Sequence, residues 1–244
     1  MVVITSPHNP RLRLVRRLHS RRQRERLGLF SCEGEDLLAA ALAAGLEPVD
    51  VLIDAERRPN LPGLAAAEPV EPRLLAEVSA LGHPPRVIAV FRRADLPRLA
   101  ESSAPPVGLA LWHVGDPGNI GTLLRAADGL GPAFLALSSG CADPTGAKAL
   151  RASAGAVFRV PLGQFDDAPS PRIALLAHGG PPLQDVELGA RTTFVLGAER
   201  EGLPPEVVAA CDATATIPLA ESAESLNVAM SGAVALYEWR RRHG

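Results

Sequence analysis

From Val107 onward, short apolar runs alternate with helix-like segments, and that alternation narrows the fold more than any other feature. Strands are expected at 107–114, 133–137, 157–160, 173–177, 193–196 and 213–217, and helices near 119–130, 145–154, 204–210 and 225–241. Apolar strands separated by helices pack as a parallel sheet covered on both faces. A ligand of such a sheet sits beyond the C-terminal ends of its strands. No GxGxxG follows a strand, which counts against a dinucleotide site.

A smaller α/β unit comes first. LFSCEGEDLLAAALAAGLEPVDVLID reads as a strand, a turn at Glu33 and Gly34, a helix over 35–44 stopped by Gly45, and a strand at 49–53. A loop rich in Pro, Gly and Ala runs to residue 69. Pro72 opens a helix to about Leu81, ending near Gly82, and Val87 to Phe91 form a strand. The polar, proline-bearing stretch RRADLPRLAESSAPP, Arg92 to Pro106, reads as a linker. The expected division is therefore 1–95, a linker at 96–106, and 107–244.

The net charge of −2 hides an asymmetry. Residues 1–100 hold 15 arginines against 12 carboxylates, whereas 101–244 hold 10 basic against 15 acidic side chains. Eight of the arginines lie between Arg11 and Arg26, around a partly helical stripe of Leu12, Leu14, Val15, Leu18 and Leu27. That segment is either a solvated helix face or a phosphate-binding one. Arginine suits the second role because its planar fork bonds two oxygens at once. Arg240 to Arg242 complement the end of the last helix. Cys32, Cys141 and Cys211 form no CxxC pair, and the six histidines are scattered. A reduced, cytoplasmic setting without a metal site is expected. No apolar run is long enough to span a membrane.

Three segments of the second unit carry residues able to do chemistry. DPGNIGTLLRAADGLG leaves the first strand with Asn119 as a good N-cap. On a helical wheel Ile120, Leu123, Leu124, Ala127 and Leu130 share a face, and Arg125 stands opposite with Gly121, Thr122 and Gly129. Small residues around one arginine leave room for another backbone, a subunit or a nucleic-acid strand. FVLGAEREGLP places Glu199 just past a turn at Gly197. On its own that is an ordinary loop carboxylate. IPLAESAESLNVAMSGAVALYEW opens the last helix, with Ser225 as a candidate N-cap, which leaves Asn227 without an ordinary structural purpose. Ser231, Gly232 and Ala233 form a waist on that helix suited to close packing.

Taken in order, these three motifs resemble the SpoU (TrmH-like) family of RNA ribose 2′-O-methyltransferases, and CADPTGAKALRASAGAVFRVPL is similar to the family's stretch between the first two. Residues 1–95, with EGEDLL and VIAVF, are similar to the family's optional ribosomal-protein-like RNA-binding domain, although GHPP replaces a common His-Gln-Gly stretch. The resemblance implies an α/β SPOUT domain with a deep trefoil knot, and a homodimer with the last helix at its interface. It implies S-adenosylmethionine held near Gly197, Ile217 and Leu226, and no metal. It places Asn119, Arg125, Glu199, Ser225 and Asn227 at functional positions. The implied substrate is RNA, with ribosomal RNA favoured by the two-domain layout over transfer RNA. A non-catalytic RNA-binding or ribosome-assembly factor is the competing reading.

Methyl transfer needs a ribose oxygen aligned with the sulfonium methyl and its proton removed. A guanidinium stays protonated at ordinary pH, so Arg125 is expected to pin a phosphate and stabilise the developing alkoxide. Glu199, Ser225 and Asn227 would orient substrate or Arg125. Removal of the first unit is expected to weaken RNA binding and leave cofactor binding measurable.

Overall fold

The computed structural model describes residues 2–61, 66–81 and 84–244. The end of the expected helix at Gly82, part of the 54–69 loop and the start of GHPP lie outside the described residues. Arg11 to Leu27 is two helices. Asn9 caps α1 (Pro10–Leu18) through its side chain, with Pro10 in the first turn, where a missing N–H costs nothing. The chain turns at Ser20 into α2 (Arg21–Leu27), which ends at Gly28 with a φ of 64°.

β1 (Leu29–Glu33), α3 (Glu35–Ala43), β2 (Asp50–Asp54), β3 (Glu68–Val70), α4 (Pro72–Glu77) and β4 (Val87–Arg92) follow. Their sheet has the order β1-β4-β2-β3, antiparallel except for the β2–β3 pair. Leu12, Val15 and Leu18 of α1 pack with Leu74 and Leu75 of α4 on one face of it. α3 covers the other face, which is continuous with the core of the second sheet.

The second sheet is built from β5 (Val107–Leu111), β6 (Ala133–Leu137), β7 (Leu162–Gln164), β8 (Arg172–Leu176), β9 (Thr192–Leu196) and β10 (Ala213–Thr216). Its order is β10-β8-β9-β5-β6-β7, and every pair is parallel. The alternation of period two is read through burial on both sides. Leu109 and Leu111 face the core beneath α5 (Pro117–Leu130) and α8 (Val228–His243), while Ala110 faces Phe165 and Val207 of α7 (Pro205–Ala209).

One reading is corrected here. The apolar run 157–160 is not a strand: Ala156–Phe158 is one tight 3-10 turn, and the strand begins at Leu162. Phe158 is spent on the neighbouring sheet, 6.4 Å from Phe30 and 6.1 Å from Phe91 between ring centres. Short buried apolar runs do not reveal their conformation by periodicity. The 96–106 stretch is tied down as well: Leu99 N–H donates to Leu162 O (2.9 Å) and Leu162 N–H to Pro97 O (3.0 Å).

A buried ion cluster joins the two sheets. Asp143, in the loop before α6 (Ala147–Ser153), accepts from Arg24 Nε at 2.8 Å, Arg93 Nη1 at 3.1 Å and Thr145 N–H at 2.9 Å. Burial would raise this carboxyl, but Thr145 and the two guanidiniums hold it below the usual range. Arg24 also donates to Leu18 O and His19 O, so its charge is fully paired inside the fold. The arginine-rich segment is thus partly structural. Arg11 pairs with Asp50 and Glu68, and Arg21 with Glu25 and Cys141 O. Arg13, Arg22 and Arg26 are exposed and make no side-chain hydrogen bond or ion pair among the described residues.

At the far end of the chain, Arg242 donates to the carbonyls of Leu183, Gln184 and Val186, and Arg240 to Gly131 O. These arginines pin α8 to its surroundings rather than only offsetting its own dipole.

Candidate functional site

The site forms where the C-terminal ends of β8 and β9 meet the start of α8, on the side expected for a parallel sheet. A cavity of about 410 Å³ opens there. Its walls include Leu175, Leu176, Ile217 and Leu226, with Gly197 at the strand exit. All three residues expected to hold a cofactor therefore line one space. The backbone crosses itself closely at Gly197. A Cβ there would lie 2.5 Å from Leu203 N and nearer still to the Gly202 carbonyl. Ala198 and Gly202 are bridged, so residues 197–203 form a tight loop closing one wall.

Asp116, not Asn119, is the N-cap of α5: its carboxylate accepts from Asn119 N–H at 3.0 Å. Lys148, 2.7 Å away, keeps the Asp116 carboxyl below its ordinary range. With the cap supplied two positions before the proline-glycine turn ends, the Asn119 side chain is free to work elsewhere. Its Nδ2 donates to Glu199 Oε1 at 2.8 Å, and its Oδ1 accepts from Asn227 Nδ2 at 3.1 Å. Asn227, rather than Ser225, caps α8, with Oδ1 accepting from Ala229 N–H at 2.9 Å.

The orientation of each amide in this relay is fixed by its neighbours. A carboxylate can only accept, so Asn119 must turn its nitrogen to Glu199 and its oxygen to Asn227. The relay ties the first turn of α5, the exit of β9 and the first turn of α8 into one unit. Burial alone would raise the Glu199 carboxyl. The Asn119 amide and the N–H groups of Glu199, Asp116 and Gly115 outweigh it and hold the group below its usual range. Glu199 is therefore an ionised anchor at neutral pH and a weak proton acceptor.

Ser225 is exposed and lines the same cavity. A second, more open cavity of about 540 Å³ lies on the other side of Ala198–Glu201 and is bordered by His113, Asp116, Asn119 and Gly140. Arg125 borders neither cavity within its own chain and is exposed on α5, with no side-chain hydrogen bond or ion pair among the described residues. Gly121 does not share its open face: it is buried against α6, where a Cβ would lie 2.9 Å from Ser153 N. The waist at Gly232 likewise serves packing within the chain, against Leu123 and Leu109.

The sequence reading missed His113 and Arg200, which share the cavity walls. His113 stands two residues beyond the end of β5, and no periodicity or motif in the sequence marks it. Among the described residues, no group of three or more His, Cys, Asp or Glu is placed to hold a metal ion.

Residues 106–237 match the model of the SpoU rRNA Methylase family, and residues 9–89 match that of the MRM3-like substrate binding domain. An uncharacterized tRNA/rRNA methyltransferase of Synechocystis sp. is 33% identical over 98% of this chain and 93% of the relative. The 23S rRNA (guanosine(2553)-2′-O)-methyltransferase RlmP of Bacillus subtilis is 28% identical over 98% of this chain and 100% of its own. The crystal structure of an AdoMet-bound rRNA methyltransferase from Sinorhizobium meliloti superposes with a TM-score of 0.87 at 26% identity, covering 99% of this chain and 98% of that one. With the relay and the cavity wall falling on the motif residues, and the match spanning the whole parallel-sheet unit, the chain belongs to the SpoU rRNA methylase family.

Proposed function

We infer that this chain transfers the methyl group of S-adenosylmethionine to a ribose 2′-hydroxyl of ribosomal RNA. The observation that carries this reading is the Glu199–Asn119–Asn227 relay at the edge of the Gly197–Ile217–Leu226 cavity. Relatives aligned over nearly the whole chain are named 23S rRNA 2′-O-methyltransferases.

The cavity fits the cofactor. Its volume lies in the range of small-molecule sites, and its wall pairs aliphatic side chains with a strand exit that has no Cβ at Gly197. Gly197, Ile217 and Leu226 would hold the cofactor, which supplies an electrophilic methyl carbon on a sulfonium. Asn119 and Asn227 are held rigidly and present the mouth of the cavity to the substrate. The 2′-hydroxyl itself distinguishes RNA from DNA.

Residues 1–95 act as the substrate-binding domain, 96–106 as the connection and 107–244 as the catalytic domain; the matches at 9–89 and 106–237 support this division. The return of the chain from β10 at the sheet edge to α8, packed on α5 and β9, supports the trefoil knot. Met230, Val234 and Tyr237 stand 58%, 39% and 57% exposed on one face of α8, which supports a homodimer through that helix. In that dimer Arg125 reaches the cavity of the second copy, pins a phosphate and stabilises the developing alkoxide. No helix among the described residues is long and apolar enough to cross a membrane. The free cysteines favour a cytoplasmic setting.

Labelled S-adenosylmethionine and protein-free ribosomal RNA test the activity, with mapping of 2′-O-methyl sites. Absence of ribose methylation refutes it. Co-expression of Arg125→Ala with Asn119→Ala tests the shared site. Each variant alone is inactive, and random pairing of two-fold dimers restores about a quarter of wild-type activity. Absence of restoration refutes the placement of Arg125.

A further inference from the structure

We propose that His113 is a substrate-positioning residue, which holds the target RNA nucleotide in the second cavity through the nitrogen edge of its imidazole. The proposal rests on the RNA methyltransferase reading and adds a contact outside the three motifs.

His113 adopts a φ of 53°, in the left-handed region that a side chain rarely occupies. Its backbone is locked there, with its N–H donating to Ser138 Oγ at 2.9 Å and Trp112 N–H donating to Leu196 O at 2.8 Å. The ring stacks on Trp112 with centres 4.7 Å apart and planes 8° from parallel. Gly140 also packs against the ring. A Cβ at Gly140 would sit 2.7 Å from His113 Cγ and 2.9 Å from Nε2, and nearer still to Cδ2, which places it above the ring rather than at its rim. Gly140 has no positive φ, so its missing side chain answers to the imidazole and not to its own backbone.

Trp112 and Gly140 crowd the ring while the residue stays exposed, which leaves its nitrogen edge open to a ligand. Neither ring nitrogen has a hydrogen-bond partner among the described residues, and the side chain borders the cavity beside Asn119 and Glu199. Backbone strain kept at a cavity wall points to a requirement of the site. An imidazole edge offers a donor and an acceptor in one plane, which matches the edges of an unstacked RNA base. The opposite wall of the relay is the cofactor cavity, so a nucleotide held at His113 stands next to the methyl donor's compartment.

The test uses His113→Gly and Gly140→Ala in the full-length protein. Glycine relieves the positive φ, so the thermal midpoint of His113→Gly stays level or rises. S-adenosylmethionine affinity stays within twofold of wild type, while kcat/KM for ribosomal RNA falls about tenfold, as for one lost hydrogen bond. Gly140→Ala displaces the ring and reproduces the loss with His113 still present. Wild-type kcat/KM in His113→Gly overturns the proposal. So does an equal loss of cofactor affinity or of stability, which marks a purely structural role. RNA affinity is also measured by filter binding without cofactor. A wild type that binds RNA through His113 but transfers no methyl refutes the methyltransferase reading and leaves this one standing.

Discussion

Gly197→Ala is the sharpest perturbation of the proposed cofactor wall, because the new methyl meets backbone and not a side chain that can swing away. The added Cβ would stand 2.5 Å from Leu203 N, against 3.4 Å for ordinary contact. Residues 198–203 must therefore move by roughly 1 Å, on the scale at which misplacement costs about two orders of magnitude in rate. The loop is largely exposed, so the overall fold absorbs this at about 1–3 kcal/mol. Its bridge between Ala198 and Gly202 also opens, and with it the position of Glu199, the anchor of the relay. Titration calorimetry with S-adenosylmethionine should show affinity falling at least about tenfold, equivalent to ~1.4 kcal/mol. Chemical denaturation should still show one cooperative transition. Cofactor affinity within twofold of wild type would refute the assignment of this wall.

Two other perturbations address the first unit and its contact with the second. Asp143→Ala leaves Arg24 buried with two unpaired N–H groups and should cost about 3–5 kcal/mol in urea denaturation; a loss below ~1 kcal/mol would reduce the cluster to an ordinary surface pair. The Asp143 carboxyl lies below its unfolded value, so its stabilisation is complete above about pH 4 and is lost as pH falls through the lower folded value; the gap between wild type and variant should shrink on acidification. Replacing exposed Arg13, Arg22 and Arg26 with Gln should weaken ribosomal RNA binding and flatten its salt dependence by up to ~2 in log–log slope. An unchanged slope would remove these arginines from the RNA-binding face.

The parallel sheet was legible because its strands are buried on both sides and read as unbroken apolar runs, as in Val107–Leu111 and Ala133–Leu137. The same property misled at 157–160, where the apolar side chains serve the other sheet's core. Helix starts shifted for a local reason: Asp116 and Asn119 are both good caps, and only coordinates show which carboxylate or amide reaches the free N–H. The motif residues Gly197, Ile217 and Leu226, from three separate segments, line one cavity, the one proposed above for the cofactor. His113 left no such trace, since neither its positive φ nor its pairing with Gly140 has a sequence period.

The contact between the two units bears on how RNA binding reaches the catalytic cavity. Phe158 is a core residue of the first sheet although it belongs to the second unit, and Asp143 is satisfied mainly by arginines of the first. Removing residues 1–95 would bare the first and strip the second of its partners, so the expected clean separation of RNA from cofactor binding does not follow from this structure. The loop that carries Asp143 also carries Ser138 and Gly140, which hold the His113 backbone and ring. Arg21 reaches that loop directly at Cys141 O, 2.7 Å away. α2 is thus hydrogen-bonded to the segment that supplies a wall of the second cavity at Gly140. The arginine-rich segment is thus divided: Arg21 and Arg24 of α2 hold the loop around Cys141 and Asp143, while Arg13, Arg22 and Arg26 stay exposed, where the salt-dependence test above addresses them.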